Sequence, residues 1–260
     1  MDKISGAFAR GHKALICFLT GGDPDIETTE RLVLAMAEEG VDLIEIGVPF
    51  SDPIAEGPVI REASERALLS GTTLDSLFAL VRRLRGVTDV PIVFMTYFNP
   101  VYKYGVGRFA ETCAANGVDG VIIPDLPWEE RSEFLAERSA GESENVKLIS
   151  LIAPTSLARA EDIARSSEGF LYCVSSLGVT GVRENIGAEI GGVIGAVRKV
   201  SDIPCAIGFG ISTPEQAEKM AALADGVIVG SAIVRIIAAH GGDSETPVRE
   251  FVRSLRAAVR

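Results

Sequence analysis

The chain has 260 residues, 47% of them hydrophobic, and a formal net charge of −11. Such a length supports one large core, and α/β barrels commonly use about 250 residues as a single unit. The negative charge excludes a basic nucleic-acid footprint, and no apolar run reaches the roughly 18 residues of a membrane span.

The first residues, Met1-Asp-Lys-Ile-Ser-Gly, lack the basic-then-apolar order of a signal peptide, so a soluble cytoplasmic protein is expected. A short helix is predicted over 3–10. Apolar, β-branched runs then recur at 15–20, 43–48, 92–97, 120–124, 147–152, 170–175, 204–208 and 226–230. Amphipathic segments at 26–39, 74–85, 108–116, 129–138, 157–165, 189–200 and 214–223 separate them, with helices at 232–239 and 246–259 after the last run. Asp25, Thr73 and Thr213 precede apolar patterns as helix-capping residues do. Strands alternating with helices indicate parallel sheet. Eight such units predict a closed (β/α)₈ TIM barrel with additional terminal helices, a single domain over 1–260. Periodicity does not report closure, so an open doubly wound sheet is the alternative.

Cys17, Cys113, Cys173 and Cys205 are far apart, with neither zinc-ligand spacing nor a C-x-x-C pair, and fit small core residues in a reducing compartment. His12 and His240 are the two histidines, which argues against a His-rich metal site or a His-based triad. In barrel enzymes the chemistry sits at the C-terminal strand ends. Alternation in the second run puts Ile44, Ile46 and Val48 on one face and Glu45 on the other, between Leu43 and Gly47. The loop that follows carries Asp52 and Glu56 among Pro49, Pro53 and Pro58. Glu45 and Glu56 suit proton transfer to and from a bound small molecule. A buried Glu satisfied by a backbone amide beside two solvated acids is the competing reading.

Tyr172 lies in the sixth run, ahead of Thr180 and Gly181. The Gly-rich segment 176–192 is long for a connection and reads as a lid that brings Thr180 to the site. Gly208-Phe209-Gly210 follows the seventh run, and Gly230-Ser231 follows the eighth and opens a helix. Backbone N–H groups there can approach a phosphate, aided by the helix N-terminus; tight turns alone would also explain the glycines.

Several segments together resemble the family of tryptophan synthase alpha chains: 43–58, Phe18-Leu-Thr-Gly-Gly-Asp23-Pro, Met95-Thr-Tyr97-Phe-Asn99-Pro100, Pro124-Asp125-Leu-Pro127, Ala153-Pro154-Thr, 172–181 and 208–212. The match runs from Phe18 to Ser231 in family order. The resemblance implies retro-aldol cleavage of indole-3-glycerol phosphate to indole and glyceraldehyde 3-phosphate. It makes Glu45 the general acid–base and Tyr172 a positioning neighbour. Gly181, Gly210, Gly230 and Ser231 would hold the phosphate, while Phe18, Tyr97, Ile122, Ile152 and Phe209 would line an indole slot. Glu56 stands where the family usually has Asp holding the indole N–H, and the loop is expected to compensate for the extra methylene. Asp52, Pro53, Asn99, Pro100 and Asp125 would lie on mouth loops that dock a pyridoxal-phosphate-dependent beta chain in an α₂β₂ assembly. This chain itself would need no cofactor and no metal. A phosphosugar isomerase or epimerase, and a binding subunit with little activity of its own, are the rival functions.

Overall fold

Among the described residues, eight short strands follow one another around a closed, all-parallel barrel in sequence order. The computed structural model describes residues 2–138, 141–174, 186–208 and 210–260. The strands are β1 (Ala14–Thr20), β2 (Leu43–Gly47), β3 (Ile92–Met95), β4 (Gly120–Ile122), β5 (Lys147–Ile152), β6 (Leu171–Val174), β7 (Cys205–Gly208) and β8 (Gly226–Val229). β1 pairs with β8 through Ala14 and Gly226, which closes the ring and removes the open-sheet alternative. All eight expected strands form, most of them shorter than the apolar runs that announced them. Residues such as Tyr97 and Pro124 extend the runs but lie beyond the last ladder bonds.

Burial sorts each strand into two faces. Leu15, Cys17 and Leu19 of β1 and Ile44 and Ile46 of β2 pack outward against the helices. Ile16, Leu43, Val93, Ile122, Ile149, Tyr172, Ala206 and Ile228 fill the lumen. The N-terminal helix Lys3–Phe8 inserts Ile4, with Phe8 beside it, into the lower end of that cluster, so the barrel is plugged from beneath. A packed lumen is the norm for this architecture. The expected caps form: the side chains of Asp25, Thr73 and Thr213 accept from the backbone N–H of Thr28, Ser76 and Gln216.

Two α-helices among the described residues differ from the sequence expectation. Pro58–Leu69 begins with Pro58 at its first position, where the missing N–H costs nothing, and buries only the narrow stripe of Ala63, Ser64 and Ala67. Phe98–Tyr104 corrects the placement of Asn99 and Pro100, which are helical and not in a loop. Pro100 sits in the first turn, where a helix tolerates it, and Asp125 accepts from the N–H of Phe98 at 2.8 Å. The presumed loop 176–192 is also shorter than expected, because Ile186–Val197 is helical; residues 175–185, with Thr180 and Gly181, and Phe209 lie outside the described residues.

The N-terminal face carries a repeated staple that the sequence does not announce. Asp42, Asp119, Glu168 and Asp225, each just before an even-numbered strand, accept from the N–H of Leu15, Ile92, Leu148 and Cys205 at the start of the odd-numbered strand before it. Each also pairs with an arginine: Arg256, Arg85, Arg138 and Arg198 respectively. The staples satisfy strand-end donors and compensate the carboxylates as they leave water. They lie at the end of the barrel opposite to the strand ends where chemistry is expected, which leaves the C-terminal face free for it.

Candidate active site

Glu45 stands in the middle of β2 with Phe18 beside it in register on β1 and Val93 on β3. Alternation with the lumen residue Leu43 turns it inward. It is 1% exposed, and neither carboxyl oxygen has a hydrogen-bond partner among the described residues. That removes the reading of a carboxylate satisfied by a backbone amide. Burial, followed by the nearby charge of Glu56, pushes its pKa up to about 8. A carboxyl poised there can both give and take a proton near neutral pH.

Glu56 is half-buried rather than solvated. The Tyr97 hydroxyl donates to Glu56 Oε2 and accepts from the backbone N–H of Ala55 at 2.8 Å. One phenol thus ties both the carboxylate and the loop that carries it to the end of β3. Burial raises the Glu56 pKa, and the Tyr97 hydrogen bond acts in the opposite sense. Tyr97 is held in its protonated, donating form, first by burial and then by the bond to Glu56. The Phe50 ring lies 5.4 Å from the Tyr97 ring and packs the same loop. Asp52, by contrast, is exposed and accepts from Ser51 Oγ at 2.6 Å.

Tyr172 rises from β6 into the lumen, and burial together with the Glu45 charge raises its pKa. Its hydroxyl lies over Gly208: a Cβ there would come within 2.5 Å of it. Gly208→Ala is therefore expected to displace Tyr172, costing about 1–3 kcal/mol of stability and about tenfold in kcat/KM through misplacement. Thermal melts and steady-state rates check this, and unchanged rates would show that Tyr172 has no positioning role. Phe18 makes a similar demand on its neighbours. A Cβ on Gly47 would meet its ring at 2.7 Å, and one on Gly230 would meet it at 3.2 Å. The ring thus spans from the end of β2 to the end of β8.

Gly210 adopts a positive φ of 76° just past β7. Gly230 caps the helix Ser231–His240 directly after β8. The two turns sit on neighbouring strands, so the first N–H groups of that helix open at the same end of the barrel as Glu45 and Glu56. Ile122 faces the lumen as expected. Ile152 does not: it pairs with Cys173 and packs with Ala160 and Ile163 among the outer helices. Leu151, in register with Tyr172 and against the lumen cluster, takes the position expected of Ile152. The four cysteines are free and buried, and no cluster of metal-ligating side chains occurs among the described residues.

The family model for the tryptophan synthase alpha chain matches residues 4–259. The chain belongs to the tryptophan synthase alpha-chain family. The alpha chain of Caldanaerobacter subterraneus is 48% identical over 98% of this chain and 99% of its own length. That of Lacticaseibacillus casei is 44% identical over 100% and 96%. Among solved structures, the Legionella pneumophila alpha subunit superposes with a TM-score of 0.88 at 35% identity, covering 99% of this chain and 98% of that one. An α₂β₂ tryptophan synthase complex from Pyrococcus furiosus superposes with a TM-score of 0.85 at 37% identity, covering 95% and 99%. The lumen carboxyl of Glu45, the loop carboxyl of Glu56 and the turns at Gly210 and Gly230 lie on or after strands of one parallel barrel and so share its C-terminal end. No helix of the described residues is long and apolar enough to cross a membrane.

Proposed function

We propose that this alpha-chain family member cleaves indole-3-glycerol phosphate to indole and glyceraldehyde 3-phosphate, with Glu45 as the proton shuttle. The observation that carries this reading is the unpaired, buried Glu45 carboxyl facing the lumen within electrostatic reach of Glu56. The Glu45 carboxyl delivers its proton to indole C3, and positive charge spreads to the ring nitrogen. Glu56, fixed by Tyr97, accepts the indole N–H and balances that charge. The Glu45 carboxylate then takes the proton of the adjacent glycerol hydroxyl. The O–H electron pair becomes the new C=O, and the pair of the broken C–C bond returns to the ring. Glu45 ends protonated, as it began. Phe18 and Ile122 provide apolar walls, and Gly210, Gly230 and Ser231, together with Gly181, would receive the phosphate.

A partner follows from the same reading. Ile54, 82% exposed, and Tyr102, 70% exposed, join Asp52, Pro53, Asn99, Pro100 and Asp125 around the loop and helix that Tyr97 ties together. Exposed apolar side chains at the mouth fit a docking surface for a beta chain, and the similar structure from Pyrococcus furiosus is of a tryptophan synthase α₂β₂ complex. Pyridoxal phosphate would belong to that partner; proton transfer on this chain needs no cofactor or metal. A cytoplasmic location fits this role. Indole release from indole-3-glycerol phosphate by the purified chain, with and without a cognate beta chain, tests the reading. Release that rises with the partner is expected, and none under either condition would overturn it.

A further inference from the structure

Thr20 ends β1 with its hydroxyl buried and without a hydrogen-bond partner among the described residues. The residue is 1% exposed. Its neighbours fix its direction. Leu19 packs outward, and a Cβ on Gly21 would point at the outer side chains Leu77 and Ile46. Thr20, between them, faces the lumen. It lies opposite Gly47 in the ladder, one step nearer the mouth than the Phe18–Glu45 pair. The unpaired Thr20 hydroxyl and the unpaired Glu45 carboxyl therefore occupy adjacent layers of the same lumen.

The order of strands says what would meet that hydroxyl. β1 lies between β8 and β2. On the function proposed above, the phosphate rests on the turns after β7 and β8, while the indole ring lies between Glu45 and Glu56 on the β2 side. The glycerol chain joining them must cross the end of β1, and its polar groups there are two hydroxyls. A buried hydroxyl with no partner costs stability, which a valine of the same shape would avoid. We propose that Thr20 contacts the substrate, hydrogen-bonding a glycerol hydroxyl and holding it for proton transfer to Glu45. The inference rests on the proposed cleavage reaction.

The test compares Thr20→Val and Thr20→Ser with the wild type in the full chain bound to a beta chain. Cleavage is measured on indole-3-glycerol phosphate, and binding on indole-3-propanol phosphate, which lacks both glycerol hydroxyls. Thr20→Val is expected to lower kcat/KM by about tenfold to a hundredfold, with Thr20→Ser recovering most of it and affinity for the propanol analogue kept within about twofold. Its Tm is expected to equal or exceed that of the wild type. A Thr20→Val chain that cleaves like the wild type, or that loses affinity for the analogue in step with cleavage, overturns the contact. A wild type inert on indole-3-glycerol phosphate overturns the reaction itself, and this inference with it.

Discussion

Glu45→Gln is expected to abolish indole release, by about 10²–10⁴-fold or more in kcat, because the shuttle then has no proton to give. The same substitution is expected to stabilise the chain, in a pH-dependent way. Folding raises the Glu45 pKa from 4.5 to about 8, so the folded state binds more protons than the unfolded state across that window. Wild-type stability attributable to this group is whole below pH 4.5, falls as pH rises towards about 8, and is then lost. Gln does not titrate. Its advantage in thermal or urea melts should therefore open above pH 4.5 and level off past about 8. Activity follows the acid form of Glu45 and the charged form of Glu56: kcat/KM is expected to decline above about pH 8 and to fall at low pH as Glu56, whose pKa burial raises, takes up a proton. A mutant that cleaves normally, or one whose stability gain does not vary with pH, would remove Glu45 from the role given to it.

The second large effect concerns Glu56. Glu56→Gln keeps the shape and the bond from Tyr97 but loses the charge that balances the indole cation, and about a hundredfold loss in kcat/KM is expected. Glu56→Asp keeps the charge but withdraws it by one methylene from the Tyr97 hydroxyl that anchors it. Partial activity is expected, since the charge is kept while misplacement near 1 Å can cost on the order of a hundredfold. The comparison is informative because Tyr97 also holds the Ala55 N–H. Carboxylate and loop are set together, so a change in the length of one strains the bond that holds the other. Equal rates for Gln and wild type would reduce Glu56 to a loop acid.

Much of this architecture is legible in the chain because parallel barrel strands are buried on both faces and so read as continuous apolar runs. Alternation alone turned Glu45 away from Ile44 and Ile46, and local capping chemistry at Asp25, Thr73 and Thr213 marked helix starts. The glycines near 208–210 and 230 stood out because tight approach leaves a compositional trace. Helices with narrow apolar stripes left less of one: Pro58–Leu69 buries mainly small residues, and Phe98–Tyr104 is under two turns of regular pattern interrupted by Pro100.

What the sequence by itself determined is the order of the eight strands and of most of the helices between them, and which side of β2 carries its carboxyl, since both follow from periods of a few residues. What only the tertiary structure decided are relations between residues distant along the chain. Ring closure joins Ala14 to Gly226. Inter-strand register assigns the lumen to Leu151 rather than Ile152. The Tyr97–Glu56 bond spans two strands, and the four carboxylate–arginine staples each join separate elements. Whether a buried hydroxyl such as that of Thr20 finds a partner depends on every strand around the lumen at once. Local pattern encodes the conformation of a segment; satisfaction of its polar groups is a property of the closed ring.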